Sequence, residues 1–385
     1  MIDAFASFSP VEVASLAINF GLLLIVALAF NLQWTNAGVP NLACSVSILI
    51  GGMTVSAITT RITFFMVQLA GVELLPFVSD HDWVFNNEYN VRTVADGFLR
   101  TRPDLCVALL AFSLAVSLLL GAGLGWALSR FTFRLKATHL MIVLLPLATV
   151  LQFLSRVLVA VSGGSLGVYV PDLLAFYQGD RVVLLAILTL SVGLLVLALT
   201  RALFRSQYGR FRREVGYGGS WAEGEGCDVA PLRRNIFVFG SAVMAVTGTL
   251  LSFTYSYVNP ANYQVPFWTY WTILAVSIGG IGSYAGTFLG AVFVVLLRHV
   301  AFIYRDELSG LIFFPQAFLL NVLLGALIPI SMMLRSLVLR REKPQEIHGM
   351  KALSAHVIRF ENAHERTGLP PSRCSSPHPP SSSIQ

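Results

Sequence analysis

Residues 11–32 read VEVASLAINFGLLLIVALAFNL, an unbroken apolar run whose one charge, Glu12, lies at its margin. At about 1.5 Å per residue, a helix of this length crosses roughly 30 Å of hydrocarbon. A segment apolar on every side has no face to offer water. Similar runs follow at 41–70, 104–129, 138–160, 181–204, 236–257, 268–283, 286–303 and 311–334. The 385-residue chain is 55% hydrophobic and 12% charged, against about 25% charged in an average soluble domain. A disulfide-stapled mini-domain, a nucleic-acid binder and a cytosolic enzyme are excluded by this arithmetic. The expectation is an all-α, polytopic helical integral membrane protein of about nine spans, within a range of eight to ten.

Two places leave the count open. The run 41–70 is long and holds Arg61, which allows one span plus a re-entrant or interfacial piece reaching Phe77. The runs 268–283 and 286–303 are short and split by glycines, as in a hairpin that does not fully cross.

Basic residues set the orientation, because Lys and Arg accumulate in short cytoplasmic loops. Arg130, Arg134 and Lys136, the seven Arg of 201–235 and the eight basic residues from 335 onward mark the inside. The segment 71–102, with five acids against three Arg, the segment 161–181 and the uncharged 258–267 mark the outside. Nine spans then place the N-terminus outside and the C-terminus in the cytoplasm. The net charge of +6 is a topology signal and calls for no nucleic acid. The reading divides the chain into a transmembrane domain, 1–341, with a cytoplasmic loop at about 205–234, and a disordered cytoplasmic tail, 342–385, rich in Pro and Ser.

Chemistry-bearing groups are sparse. Cys44, Cys106, Cys227 and Cys374 form neither a disulfide framework nor a metal spacing, so no metal site is expected. Inside the runs the ionisable residues are Arg61, Arg156 and Arg298, and helix-end snorkelling accounts for Arg61 and Arg298. No Asp or Glu lies deep in any run, which argues against a proton- or sodium-coupled carrier. No P-loop lysine is present either, so the energy source lies outside this chain. Gly163-Gly164-Ser165-Leu166-Gly167 matches GxSxG. The strand and partner acid of a hydrolase elbow are missing, and a glycine turn between two spans is the simpler account.

Small residues say more. Gly282, Gly286 and Gly290 recur every four positions, as do Gly121 with Gly125 and Ser241 with Ala245 and Thr249. A helix through such positions offers a flat groove for close backbone approach. The stretch GGIGSYAGTFLGA at 279–291 is too glycine-dense for a plain helix interior, since each Gly costs about 1 kcal/mol relative to Ala, and a broken or re-entrant helix is expected there.

With these residues in view, the chain resembles the LivM-like membrane subunits of branched-chain amino acid ABC importers over most of 11–334. The stretch 279–291 is the most specific match, followed by Asn259-Pro260, by Gly121 through Lys136 with Ser162 to Gly167, and by Asn31-Leu32-Gln33-Trp34 with Gly38 and Asn41-Leu42. The resemblance implies a permease without catalytic activity or cofactor of its own, with ATP used by partner subunits. It implies a prokaryotic plasma membrane, a second homologous permease subunit, two ATP-binding subunits and an extracytoplasmic substrate-binding protein. It places Asn31, Trp34, Asn41, Gly164, Ser165, Gly279, Gly280, Gly282, Gly286 and Gly290 along the substrate pathway. It also makes Ala222, Glu223, Gly224, Glu225, Gly226 and Asp228 the segment coupling to the ATPases. Branched-chain or other small amino acids are the implied solutes. Urea or short amides are the alternative within the class, and a channel, a secondary transporter or a serine hydrolase using Ser165 the alternatives outside it.

Overall fold

The computed structural model describes residues 9–38, 40–77, 79–132, 137–205, 230–303, 326–331 and 333. Helix α1, Pro10–Ala37, opens on a capping box in which Ser9 and Glu12 satisfy each other's backbone N–H groups, and closes on Gly38 at φ 75°. Helix α2 runs unbroken as Cys44–Thr54, a π-helical turn Val55–Thr59, and Thr60–Leu69. The π turn carries its own side-chain support: Thr60 donates to the Val55 carbonyl at 3.0 Å, and Ser56 donates across to the Val161 carbonyl at 2.7 Å. The run 41–70 is therefore one helix, and the second piece allowed by its length does not form.

Helix α3 follows as Asp80–Tyr89, a π turn Asn90–Ala95, and Asp96–Arg100. Next come α4, Pro103–Thr132, α5, Ala137–Val157, and the single turn α6, Val159–Ser162. The chain continues through strand β1, Val168–Tyr169, helix α7, Arg181–Arg205, helix α8, Ala230–Tyr255, and strand β2, Tyr257–Val258. After a 3₁₀ turn, Pro260–Tyr263, come α9, Val265–Gly279, and α10, Tyr284–Ile303, and a short helical stretch is described at 326–331.

Among the described residues six helices are long and apolar enough to cross a membrane: Pro10–Ala37, Cys44–Leu69, Pro103–Arg130, Arg181–Leu203, Arg233–Tyr255 and Tyr284–Ile303. The run 138–160 yields a shorter apolar helix, Ile142–Val157, and 268–283 yields the 15-residue α9. At about 22 Å, α9 is too short to cross alone. Most of 311–334, the loop segment 206–229 and the tail lie outside the described residues.

Helices α1 and α8 are enclosed by the others, with Leu22 to Phe30 nearly inaccessible and Phe237, Met244, Ala245 and Leu250 fully buried. Glycine makes the contacts around α8 possible. A side chain on Gly248 would overlap the Ile48 carbonyl, and one on Gly51 the Ala245 carbonyl, so α2 and α8 meet backbone to backbone. On the other flank Gly121 faces Ala245 and Gly125 faces Ser241. The two small-residue stripes of the sequence thus pack on each other. The outer helices turn apolar faces outward, as Leu119, Leu194 and Leu289 show.

At one end of the bundle β1 pairs antiparallel with β2, matching Val168 to Val258 and Tyr169 to Tyr257. Arg181 pairs with Asp172 at 2.6 Å and donates to the Phe253 carbonyl at 2.6 Å, closing the last turn of α8 where Ser256 turns to φ 49°. Asp96 accepts from the Asp172 backbone N–H at 2.9 Å, and burial holds its carboxyl above the ordinary aspartate range. The segments marked as outside by charge meet at this end.

Gly248→Ala should lower the thermal midpoint of the detergent-solubilised protein, by an overpacking cost of about 1–3 kcal/mol or more. Gly123→Ala, at a site with open space around it, should leave the midpoint unchanged or raise it. Fluorescence-detected gel filtration after heating checks both.

Candidate functional site

The glycine-rich stretch becomes a tight hairpin. Helix α9 stops at Gly279, Gly280 takes φ 101° and Gly282 φ 87°, and α10 begins at Tyr284. These two angles are open to glycine at little cost and to other residues only with strain. Gly282 therefore stands in the turn, not in a helical stripe with Gly286 and Gly290, because the left-handed backbone ends the helix before it. The groove is formed instead by Gly286 and Gly290 of α10 facing Gly279 and Ala275 of α9. A side chain on Gly279 would overlap the Gly286 backbone, and one on Gly290 the Ala275 carbonyl. Ser283 caps α10 by accepting from the Gly286 N–H at 3.0 Å.

Asn31 of α1 holds this hairpin from the side. It is 1% exposed, and its Oδ1 accepts from the Gly282 N–H at 2.9 Å and from the Thr35 hydroxyl at 3.1 Å. Its Nδ2 donates to the Thr287 hydroxyl at 2.7 Å and the Ser283 carbonyl at 3.2 Å. One amide thus satisfies both sides of a helix break, where unpaired backbone groups in hydrocarbon would cost several kcal/mol each. Phe20 of α1 meets Phe288 edge-on at 5.2 Å. Asn31, Gly279, Gly280, Gly282, Gly286 and Gly290 are therefore assembled in one place.

The break lies at the end of the bundle that carries the basic loop. Tyr284 packs with Leu32, Ala37, Leu203, Ile236 and Phe239, where α1 and α7 end and α8 begins. Arg201 sits over the Tyr284 ring at 5.4 Å. The residues 222–228 lie outside the described residues; α7, which leads into them, reaches the hairpin through Arg201, and α8, which follows them, shares a cluster with Tyr284 at Ile236.

The remaining candidates fall elsewhere. Trp34 meets Phe30 edge-on at 5.7 Å and receives the Gly38 N–H on its carbonyl. Asn41 is fully buried and caps the start of α2 by accepting from the Ala43 N–H at 3.0 Å. Beside them Gln33, not singled out in the sequence, crosses to α8 and donates to the Phe237 carbonyl at 2.9 Å. Its close fit over Gly240 was hidden by 206 intervening residues.

Gly164 and Ser165 belong to the opposite end. Gly163, Gly164 and Gly167 have φ of 72°, 65° and 78°, and Ser165 is exposed. Asn259 Nδ2 donates to the Ser165 carbonyl at 3.1 Å, and the Tyr257 hydroxyl donates to the Leu166 carbonyl. Here a helix precedes the serine and a strand follows it, the reverse of a nucleophile elbow. The motif serves as a turn that docks on Asn259-Pro260. Gln152 donates to the Pro260 carbonyl at 3.3 Å and Tyr263 meets the Ser252 hydroxyl at 2.9 Å, which carries the chain from β2 into the interior.

Two span arginines are tied down within the protein. Arg61 donates to the Ala160 carbonyl at 2.6 Å and covers the Trp83 ring at 4.7 Å, and Arg298 lies over Phe267 and Trp271 at 4.6 and 5.4 Å. Both contact neighbouring segments.

Asn31→Ala leaves the Gly282 N–H and the Thr287 hydroxyl short of a partner, at about 1–3 kcal/mol. The expected result is a protein that still inserts but has a lowered thermal midpoint and lost uptake. Thr287→Val, which removes one of the four bonds, should fall between wild type and Asn31→Ala in both measurements.

A family model described as branched-chain amino acid transport system / permease component matches residues 13–332. The chain is 26% identical over 330 residues to a protein of Methanocaldococcus jannaschii described as "Probable branched-chain amino acid transport permease protein LivM", covering 84% of this chain and 92% of that one. No solved structure matches. With the match spanning every described helix from α1 to α10, the chain belongs to the branched-chain amino acid transport permease family.

Proposed function

We propose that this chain is the membrane-spanning, non-hydrolysing subunit of an ATP-driven importer of branched-chain or other small amino acids. It lies in a prokaryotic plasma membrane with its N-terminus outside and C-terminus in the cytoplasm. It works with a second permease subunit, two ATP-binding subunits that use the ATP, and an extracytoplasmic binding protein. The observation that carries this reading is that the Asn31-held hairpin meets α7 through Arg201 over Tyr284 and shares an apolar cluster with the start of α8 at Ile236. A glycine-paired hairpin has two close-packed helices and few side chains to rearrange, so it suits a part that shifts as a unit when the loop between α7 and α8 moves.

In this reading Ala222 to Asp228 dock on the ATPase. Seven residues are enough for barely two helical turns, so a helix there would have to borrow stability from the partner surface. Glu223 and Glu225 supply charged contacts, while Gly224 and Gly226 allow close backbone approach.

Reversing Glu223 and Glu225 together to Arg should leave the protein in the membrane while co-purification of the ATPases and solute-stimulated ATP hydrolysis fall at least to one tenth. Survival of stimulated hydrolysis would remove this loop from coupling. For orientation, an impermeant thiol reagent applied to intact cells should label a cysteine introduced at Asn86 and reach Cys227 only after lysis. Labelling of Cys227 from outside would invert the topology.

A further inference from the structure

A cavity of about 410 Å³ opens between the second half of α2 and the start of α3, lined by Arg61, Phe64, Phe65, Gln68, Phe77, Ser79, Asp80 and Trp83. Its apolar wall is an aromatic triad. Phe64 stacks on Phe77 at 5.3 Å, Trp83 leans on Phe77 at 5.3 Å, and Phe64 and Trp83 are 5% exposed. Along this wall lies the Arg61 guanidinium, with one N–H on the Ala160 carbonyl and its face on Trp83. That leaves most of its five donors available. The Trp83 Nε1 group is buried without a hydrogen-bond partner among the described residues. Neither Arg61 nor Asp80 forms an ion pair among the described residues.

An unpaired cation, an unpaired anion and an aromatic wall lining one cavity select a ligand of matching pattern. We propose that this cavity is a binding site for a free zwitterionic amino acid with an apolar side chain. The carboxylate pairs with Arg61, the ammonium with Asp80, and the side chain rests on Phe64, Phe77 and Trp83. Fork-shaped donors suit a carboxylate, and burial of the apolar part against aromatic rings adds affinity without demanding an exact shape. The inference rests on the amino-acid importer reading and assigns it a receiving site at the acid-rich end of the bundle.

A phospholipid head group shares the zwitterionic chemistry, but the order of side chains disfavours it. Phe65 and Leu69, 59% and 70% exposed, follow Arg61 by one and two turns toward the helix end that leads to Asp80. A phosphate on Arg61 would lie deeper than these apolar side chains, the inverse of bilayer order.

The full chain in nanodiscs should bind radiolabelled L-leucine saturably, and two partial analogues separate the charges: isocaproate lacks the ammonium and isoamylamine lacks the carboxylate. Arg61→Gln should weaken leucine and isocaproate at least tenfold and leave isoamylamine unchanged. Asp80→Asn should weaken leucine and isoamylamine and spare isocaproate. A misfolded variant would lose all three ligands together, so this crossed pattern reports the site itself. Absence of leucine binding, equal effects of both variants on all three ligands, or displacement of leucine by dihexanoylphosphatidylethanolamine at lower concentration than by leucine itself would each overturn the proposal. Co-purification of ATPases tests the importer reading separately. Retained co-purification with leucine binding indifferent to Arg61→Gln defeats the site alone, whereas lost co-purification with Arg61-dependent binding defeats the importer reading alone.

Discussion

Everything in this bundle depends on how close α8 can come to its neighbours. In hydrocarbon there is little hydrophobic drive to bring two apolar helices together, so association relies on dispersion contacts and on hydrogen bonds that lipid cannot offer. Dispersion falls off within a fraction of an ångström of contact distance, and Gly51, Gly248, Gly121 and Gly125 let backbone meet backbone on two flanks of α8. Polar side chains then find partners that a wider spacing would deny them. Thr249 donates to the Gly51 carbonyl at 3.2 Å, and Thr59 meets Ser113 at 2.9 Å.

The same closeness makes irregular backbone tolerable inside the bundle. The chain leaves α-helical geometry at 280–283 and 256–264, at opposite ends of the bundle, where buried N–H and C=O groups left unpaired would be costly. Each gap is closed by a side chain from another element: Asn31 at the first, and Arg181 and Gln152 at the second. Asn259 adds a bond in the other direction, tying the 163–167 turn to the second gap. These residues are polar for the sake of backbone accounting, which is why so few charges are needed at depth.

Run length and composition made the helical class readable from residues such as 11–32, because crossing a bilayer imposes a length that no packing detail can alter. The small-residue stripes were readable as contact surfaces for the same reason. Their partners were not, since Gly125 meeting Ser241 joins positions more than a hundred residues apart, and a period of four says nothing about which helix fills a groove. Gly282 shows the limit within one stretch. Spacing put it in register with Gly286 and Gly290, whereas the left-handed angles at Gly280 and Gly282 ended the helix and made the facing partner Gly279. Asn31 was named through family likeness. Its bonding to Gly282, Ser283 and Thr287, some 250 positions away, emerges only when α1 is placed beside the hairpin.

The two ends of the bundle are built for different mechanical behaviour. At the acid-rich end a β pair, the Arg181–Asp172 ion pair and the Asp96 carboxylate cross-link four separate segments, so displacement of any one strains the rest. At the basic end the helix break is bridged by the Asn31 amide and by the packing of Tyr284, and α9 meets α10 through glycine backbone. A structure fixed at one end and lightly tethered at the other bends where it is tethered. Motion imposed between α7 and α8 would therefore be taken up at Gly279 to Tyr284 before it disturbed the β pair.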